Sequence, residues 1–357
     1  MSRMTDEVEA GPWGDFICHD SGERLERRGD RLQAGEGGRT YEVRDGVPIL
    51  LFGDPMPEDD REALRKLNED ADREGWRAAV ERHFGDDVQS IRYVTDESRL
   101  KLIDLLDVGP DDVVLDFGAS LGTFTVELAR RARLVHAIDI VPGQVAFAAR
   151  RCRQEGRENV VAACGGDRCR LPYRDAMFDA VFFNLVFEWC AWRDGGDFLA
   201  GQRQVLAEIH RVLKPGGRLL LSTKNRYALT YLTGRPDEHA QGLRFGNALP
   251  RWLMHALYRR KSGGSKVLNG LLHSHDALSR LIEGAGFERP RSFWAAPEMR
   301  YPKDYVPTDA ASIREARRRP DFVQGDSRST RALMSLVPAP LVKHFTKGLT
   351  FVASKPS

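Results

Sequence analysis

The chain is expected to build a doubly wound α/β fold, and three neighbouring stretches carry that expectation. Val113 to Phe117 is apolar apart from Asp116 and reads as a buried strand. A glycine-containing turn follows, and Thr123 to Ala132 then sets Phe124, Val126, Leu128 and Ala129 at helical spacing. A second apolar run closes on Asp139, 23 residues after Asp116. A strand–turn–helix–strand unit of this kind aims backbone N–H groups at whatever sits above the strand ends. A carboxylate closing its second strand can accept hydrogen bonds from both hydroxyls of a ribose. The unit therefore points to a nucleoside-containing cofactor.

Glycine spacing separates the candidate cofactors. A dinucleotide turn starting at Gly118 asks for glycine at 118, 120 and 123, and the chain has Gly118, Ser120 and Thr123. The alternative spacing, acid-x-G-x-G-x-G, finds Asp116, Gly118 and Gly122 in place, with Ser120 in the middle slot. On these residues the chain resembles the class I S-adenosylmethionine (SAM)-dependent methyltransferases. The resemblance continues through GGDRCRLPYRDAMFDAVFFNLVFEW (Gly165 to Trp189), where an Asp precedes Leu-Pro and Phe-Asp opens a strand at Ala180 to Phe183. It continues again through VLAEIHRVLKPGGRLLLSTKN, where Lys214-Pro215-Gly216-Gly217 is a turn that stops a helix and feeds the fifth strand.

The resemblance implies a mostly parallel, seven-stranded sheet that binds SAM. It places Asp116, Gly118, Ala119, Ser120 and Gly122 at the cofactor turn, and Asp139 with Ile140 at the ribose. Asp167 would accept from the adenine amino group, the Arg168 N–H would meet a ring nitrogen, and Asn184 would sit beside the methionine part. A doubly wound domain that binds nothing nucleoside-like is the bland alternative.

Around this domain, taken as residues 106–357, two further regions are expected. Residues 1–54 alternate short apolar runs with Gly, Asp and Ser, as a few short strands would. The ending TYEVRDGVPILL resembles a small zinc-ribbon-like module, an activator subunit of tRNA and release-factor methyltransferases. Only Cys18 occupies a pair position, Ser21 stands where its mate would be, and no cysteine lies between Leu32 and Tyr41. Four-coordinate zinc needs a full ligand set, so no metal is expected there. Residues 55–105 read as a helical lid or linker, with Leu64, Leu67, Trp76, Ala79 and Phe84 at roughly helical spacing. Arg226 to Ser274 is an insertion after the fifth strand, a length rarely left without function. Its opening, KNRYALTYLTGRPDEH, is similar to a pattern in methyltransferases encoded among bacterial surface-polysaccharide genes. HFTKGLTFVASKP resembles the antiparallel last strand of such sheets.

Composition sets limits. The 357 residues are 41% hydrophobic, enough for a sizeable core. Charged residues make up 30%, yet the net charge is only +2, which argues against nucleic acid as a partner. The acidic N-terminus carries no apolar run of a secretory signal, and the run Ala180 to Phe187 is too short to span a bilayer. The five scattered cysteines suit a reducing cytoplasm. The basic, amphipathic LPRWLMHALYRR is read as packing or a partner-helix face, and peripheral membrane contact stays open.

Methyl transfer from a sulfonium is an in-line displacement, so alignment dominates, and an alcohol acceptor also needs a general base. His239 closes the acidic-acidic-His run of the insertion and ranks first. Glu188, after the fourth strand, is the second candidate; Asp237, His273 and His275 are the others. His275 has a competing role beside Ser274 and Asp276 at a helix start. Three functional readings follow: methyl transfer to a small molecule or sugar, at oxygen; methyl transfer to RNA or protein; and a non-catalytic SAM-fold binding protein. The second lacks the Asn/Asp-Pro-Pro-aromatic signature, since the fourth strand ends in Asn184-Leu185-Val186-Phe187. The third would expect lost cofactor residues, which are present.

Overall fold

A computed structural model describes residues 13–53, 58–191, 197–236, 243–261 and 270–357. The described chain divides into two compact units. One comprises the residues up to Asp96 together with Asp107–Phe182 and Arg211–Gly217; the other comprises Glu97–Leu106, Phe183–His210 and Arg218–Ser357.

The first unit opens with a four-stranded antiparallel meander: β1 (Leu25–Arg28), β2 (Arg31–Ala34), β3 (Thr40–Arg44) and β4 (Val47–Pro48). Leu25, Leu32, Ala34 and Tyr41 are buried while the charged residues between them face water, the period-2 pattern of a half-buried sheet. The chain then runs along an edge of the larger sheet, where Ile49 bridges Cys164 in parallel and the Leu50 N–H donates to Cys164 O at 2.7 Å. Val47 and Leu51 pack there with Val145, Ala146, Ala162 and Cys164.

The expected helical stretch is three helices, α1 (Glu58–Glu74), α2 (Trp76–Phe84) and α3 (Val88–Thr95). Gly75 (φ 90°) and Gly85 (φ 52°) divide them, since positive φ is costly for a side chain bearing Cβ. Leu67, Ala71, Trp76, Ala79, Val80 and Val94 form a core with Leu121 and Phe147. The βαβ unit stands where it was expected: β5 (Val113–Phe117), α4 (Thr123–Arg131), β6 (Leu134–Asp139), then α5 (Pro142–Gln154), β7 (Val160–Cys164) and β8 (Phe178–Asn184). All five residues of β5 are buried. Strands β5, β6 and β7 are parallel, in a register that sets Phe117 beside Ile138 and Asp139 beside Cys164.

The second unit contains a 3-10 stretch at Glu97–Leu106 and most of α6 (Phe198–Val212) and β9 (Leu213–Lys224). In the insertion lie α7 (Leu229–Leu232) and α8 (Arg251–Lys261). Beyond it come α9 (His275–Gly284), β10 (Glu288–Ala296), β11 (Asp304–Pro307), α10 (Ala310–Arg318), α11 (Arg328–Leu336), α12 (Val342–Phe345) and β12 (Gly348–Ser354). As expected of the tail, β12 is antiparallel, pairing with β9 and β10.

Two expectations need correction. The large sheet has eight strands rather than seven, in the order β11-β10-β12-β9-β8-β5-β6-β7, because β11 adds an antiparallel edge to β10. The expected Lys-Pro-Gly-Gly turn stands within the first residues of the fifth strand: Gly216 takes φ 74°, and a Cβ on Gly217 would stand 2.8 Å from Lys214 O. The strand begins at Leu213, directly after α6. Met177 N–H donates to Val212 O at 2.7 Å, and Lys214 Nζ lies 2.8 Å from both Asp179 carboxylate oxygens, which ties this segment to β8. Finally, Trp252 of α8 is not packed: it is 72% exposed. Among the described residues, no helix is long and apolar enough to cross a membrane.

Candidate nucleoside-binding site

In the first unit, the candidate site is built at the carboxyl ends of β5, β6 and β7, three adjacent parallel strands. The turn after β5 folds back on β6: Gly118 N–H and Ala119 N–H both donate to Ile138 O, at 2.8 and 3.1 Å. Gly118 (φ 86°) and Gly122 (φ 74°) take left-handed conformations, and so does Ser120 (φ 48°), the residue in the middle glycine slot. A Cβ on Gly122 would stand 3.0 Å from both Ala148 Cα and Cβ, so that position is closed by α5 as well as by its backbone angle.

Asp139 ends β6 and organises the turn. Its Oδ2 accepts the Ser120 N–H at 3.0 Å and its Oδ1 accepts the Val141 N–H at 3.1 Å. Each carboxylate oxygen can accept more than one hydrogen bond. The side chain is only half-buried, within reach of a ligand. Asp167 lies just beyond β7. Its carboxylate accepts from the Phe52 N–H, at 3.0 Å to Oδ2, and from the Gly53 N–H at 3.2 Å. Sequence reasoning gave the N-terminal segment no part in this position, yet its last two backbone amides hold the carboxylate. Arg168 has φ 51° and ψ 25°, and its guanidinium stands over the Phe52 ring at 5.4 Å.

Asp116 is buried beneath the turn, where Thr125 Oγ1 donates to its Oδ2 at 2.6 Å. Burial pushes its pKa up to about 7; the Thr125 hydrogen bond opposes the rise and the Asp139 charge adds to it. That hydrogen bond joins the end of β5 to the first turn of α4.

Arg151, which sequence reasoning passed over, ties α3 to the turn. Its Nη1 donates to Val94 O, Leu121 O and Thr123 Oγ1, at 3.3, 3.2 and 3.1 Å. Its guanidinium carbon lies 3.9 Å from the Trp76 ring centroid, a cation–π contact. Burial lowers its pKa to about 10, which leaves it charged at neutral pH. A helical run with Trp76 and an arginine one turn before the end of α5 was the available signal, but their pairing across 75 residues was not visible in spacing.

Asn184, Glu188 and the other base candidates belong to the second unit. Asn184 ends β8, half-buried. Glu188 is fully buried, its Oε2 accepting from Thr223 Oγ1 at 2.6 Å. Nearby, the Gln202 amide donates to Phe187 O and Leu271 O at 3.0 and 2.9 Å. Gln202 Oε1 must therefore accept, so His273 Nε2, 2.6 Å away, carries the proton and its Nδ1 is bare. Burial, with Arg251 and Arg226 close by, lowers the His273 pKa to about 3 and keeps the ring neutral. His275 is occupied on both sides, by Asp276 Oδ1 and Ser292 Oγ, each at 2.9 Å. His239 and Asp237 lie outside the described residues, as does the rest of the acidic-acidic-His run. Asn225, at the end of β9, has a scaffold role: its amide donates to His344 O and Thr346 O and its Oδ1 accepts the Tyr227 N–H.

Comparison with known proteins agrees with this geometry. Residues 115–221 match the family described as a methyltransferase domain. Among curated relatives, the biotin biosynthesis bifunctional protein BioHC of Cellvibrio japonicus is 38% identical over 110 residues, 31% of this chain and 19% of that protein. The malonyl-[acyl-carrier protein] O-methyltransferase of Herminiimonas arsenicoxydans is 34% identical over 163 residues, 44% of this chain and 55% of its own. The demethylmenaquinone methyltransferase of Mycobacterium marinum is 37% identical over 116 residues, 32% of this chain and 43% of its own. The chain thus spans about half or less of the length of the relatives it matches.

Proposed function

We propose that the protein is a SAM-dependent methyltransferase whose acceptor is a small molecule or a sugar, methylated at oxygen. The observation that carries this reading is the order of features on three adjacent strands: the Gly118–Gly122 turn on β5, Asp139 on β6 and Asp167 after β7. The methyltransferase-domain match over residues 115–221 spans all three. In this reading Asp139, with Ile140 beside it, accepts from the ribose hydroxyls, Asp167 accepts from the adenine amino group and the Arg168 N–H meets a ring nitrogen. The half-buried Asp139 at the end of β6 and the Asp167 carboxylate just beyond β7 suit those roles. Asn184 takes the methionine part. When bound, SAM supplies the electrophilic methyl group; the chain's contribution is to hold it and to align the acceptor.

A small acceptor is favoured by the relatives, a malonyl-[acyl-carrier protein] O-methyltransferase and a demethylmenaquinone methyltransferase among them. The chain's net charge of +2 gives no global attraction to RNA. We assign the insertion, Arg226 to Ser274, to the acceptor side and His239 to the general base. Glu188 stays second, since its carboxylate is fully buried and already accepts from Thr223. The N-terminal residues 1–54 act as scaffold for the Asp167 position, residues 55–105 as a lid, and residues 106–357 as the catalytic domain.

Methyl transfer from labelled SAM to panels of nucleotide sugars, glycans and small metabolites, with bulk tRNA and protein in parallel, tests the acceptor class. Label in a small acceptor supports the proposal; label confined to RNA or protein overturns it. For a hydroxyl acceptor, His239→Ala lowers turnover by roughly a hundredfold or more with SAM affinity intact. Unchanged turnover removes His239 from the mechanism.

A further inference from the structure

From His239 to His275 the chain holds six lysines and arginines and not one Asp or Glu, in a protein whose overall balance is only +2. Helix α8 lies at the centre of this segment. One side of it is anchored: Met254 is buried against Leu243 and Leu249. Arg251 is held too, donating to Leu272 O at 3.1 Å. Most of its remaining surface faces water and combines two properties that seldom share a solvated helix. Trp252 is 72% exposed and Leu257 39%, with Phe245 of the preceding loop 51% exposed. Arg259, Arg260 and Lys261 end the helix, all exposed.

We infer that this face of α8 docks on an anionic lipid surface. Exposed Trp, Phe and Leu beside a cluster of cations is the side-chain pattern of an interfacial helix. The rings enter the headgroup–acyl boundary while the cations meet lipid phosphates. Charge complementarity selects an anionic surface over a neutral one. A nucleic acid or an acidic protein would satisfy the cations, but the protruding Trp252 and Leu257 need an apolar layer to enter. The inference stands independently of the proposed methyl transfer.

Co-sedimentation of the full chain with vesicles tests it. Vesicles of phosphatidylcholine with about a third phosphatidylglycerol should carry the protein down at low salt and release it as salt rises, while pure phosphatidylcholine vesicles should not. Replacing Arg259, Arg260 and Lys261 together by Gln should weaken partition roughly a hundredfold. Trp252→Ala should weaken it by about tenfold. Because these side chains are exposed, neither variant should lower the melting temperature, which separates lost docking from lost fold. Three results overturn the inference: equal sedimentation with neutral vesicles, none with anionic vesicles at low salt, or variants that partition like the parent. Capture of an acidic carrier protein or RNA without vesicle binding would assign the face to that other partner instead.

Discussion

Asp139 performs two tasks at once, holding the Ser120 and Val141 amides and, in the proposed reading, the ribose hydroxyls. Asp139→Ala should weaken SAM binding by about 1.5–3 kcal/mol, roughly ten- to a hundredfold, as read by calorimetry. Asp116 gives a different signature. Its native pKa of about 7 stands above the ordinary 3.8, so between those values the folded chain keeps a proton that the unfolded chain has released. Stability from this group is therefore lost as pH rises from about 4 to 7. Asp116→Asn leaves an oxygen for Thr125 and abolishes that slope, so the variant's melting temperature should gain on the parent's as pH rises from about 5 to 8. Parallel melting profiles would show that Asp116 does not titrate in this window. Both aspartates were legible in the sequence because each closes or interrupts an apolar strand. Ser120 was legible only as a missing glycine; its φ of 48° shows that the backbone shape persists where the residue does not.

Among the elements, β5, α4 and β6 could be read because an unbroken apolar run and a 3.6-residue period are local signals. Others could not. Half of β10 is exposed and carries Glu288, Arg289 and Arg291, so its strand character comes from pairing with β11 and β12 and not from alternation. The fate of residues 49–53 was also hidden: their apolar character was plain, their attachment to β7 and to Asp167 was not. Leu50 is fully buried and its N–H is bonded to Cys164 O. Leu50→Ala should cost about 2–5 kcal/mol of stability by denaturant titration. A loss below about 1 kcal/mol would mean that this segment contributes little to the first unit's core. Arg151 makes a sharper test of the lid. Arg151→Met keeps much of the stem but removes the donors to Val94 O, Leu121 O and Thr123 Oγ1. It should loosen the turn and weaken SAM binding by about tenfold, and unaltered affinity would separate the lid from the turn.

At the scale of the whole molecule, the strands that carry the candidate site were the legible part, and the second unit was less so. Long-range hydrogen bonds such as those of Gln202, Asn225 and Arg226 shape the second unit, and none follows a local period. The same holds for α8, whose sequence suggested packing while its Trp252 faces water. The central claim concerns the cofactor, and calorimetric titration of the purified full chain with SAM, its demethylated product and NAD tests it most directly. The account predicts one site that takes SAM and the demethylated product, weakened in Asp139→Ala, and no binding of NAD. Binding of NAD with none of SAM would contradict it.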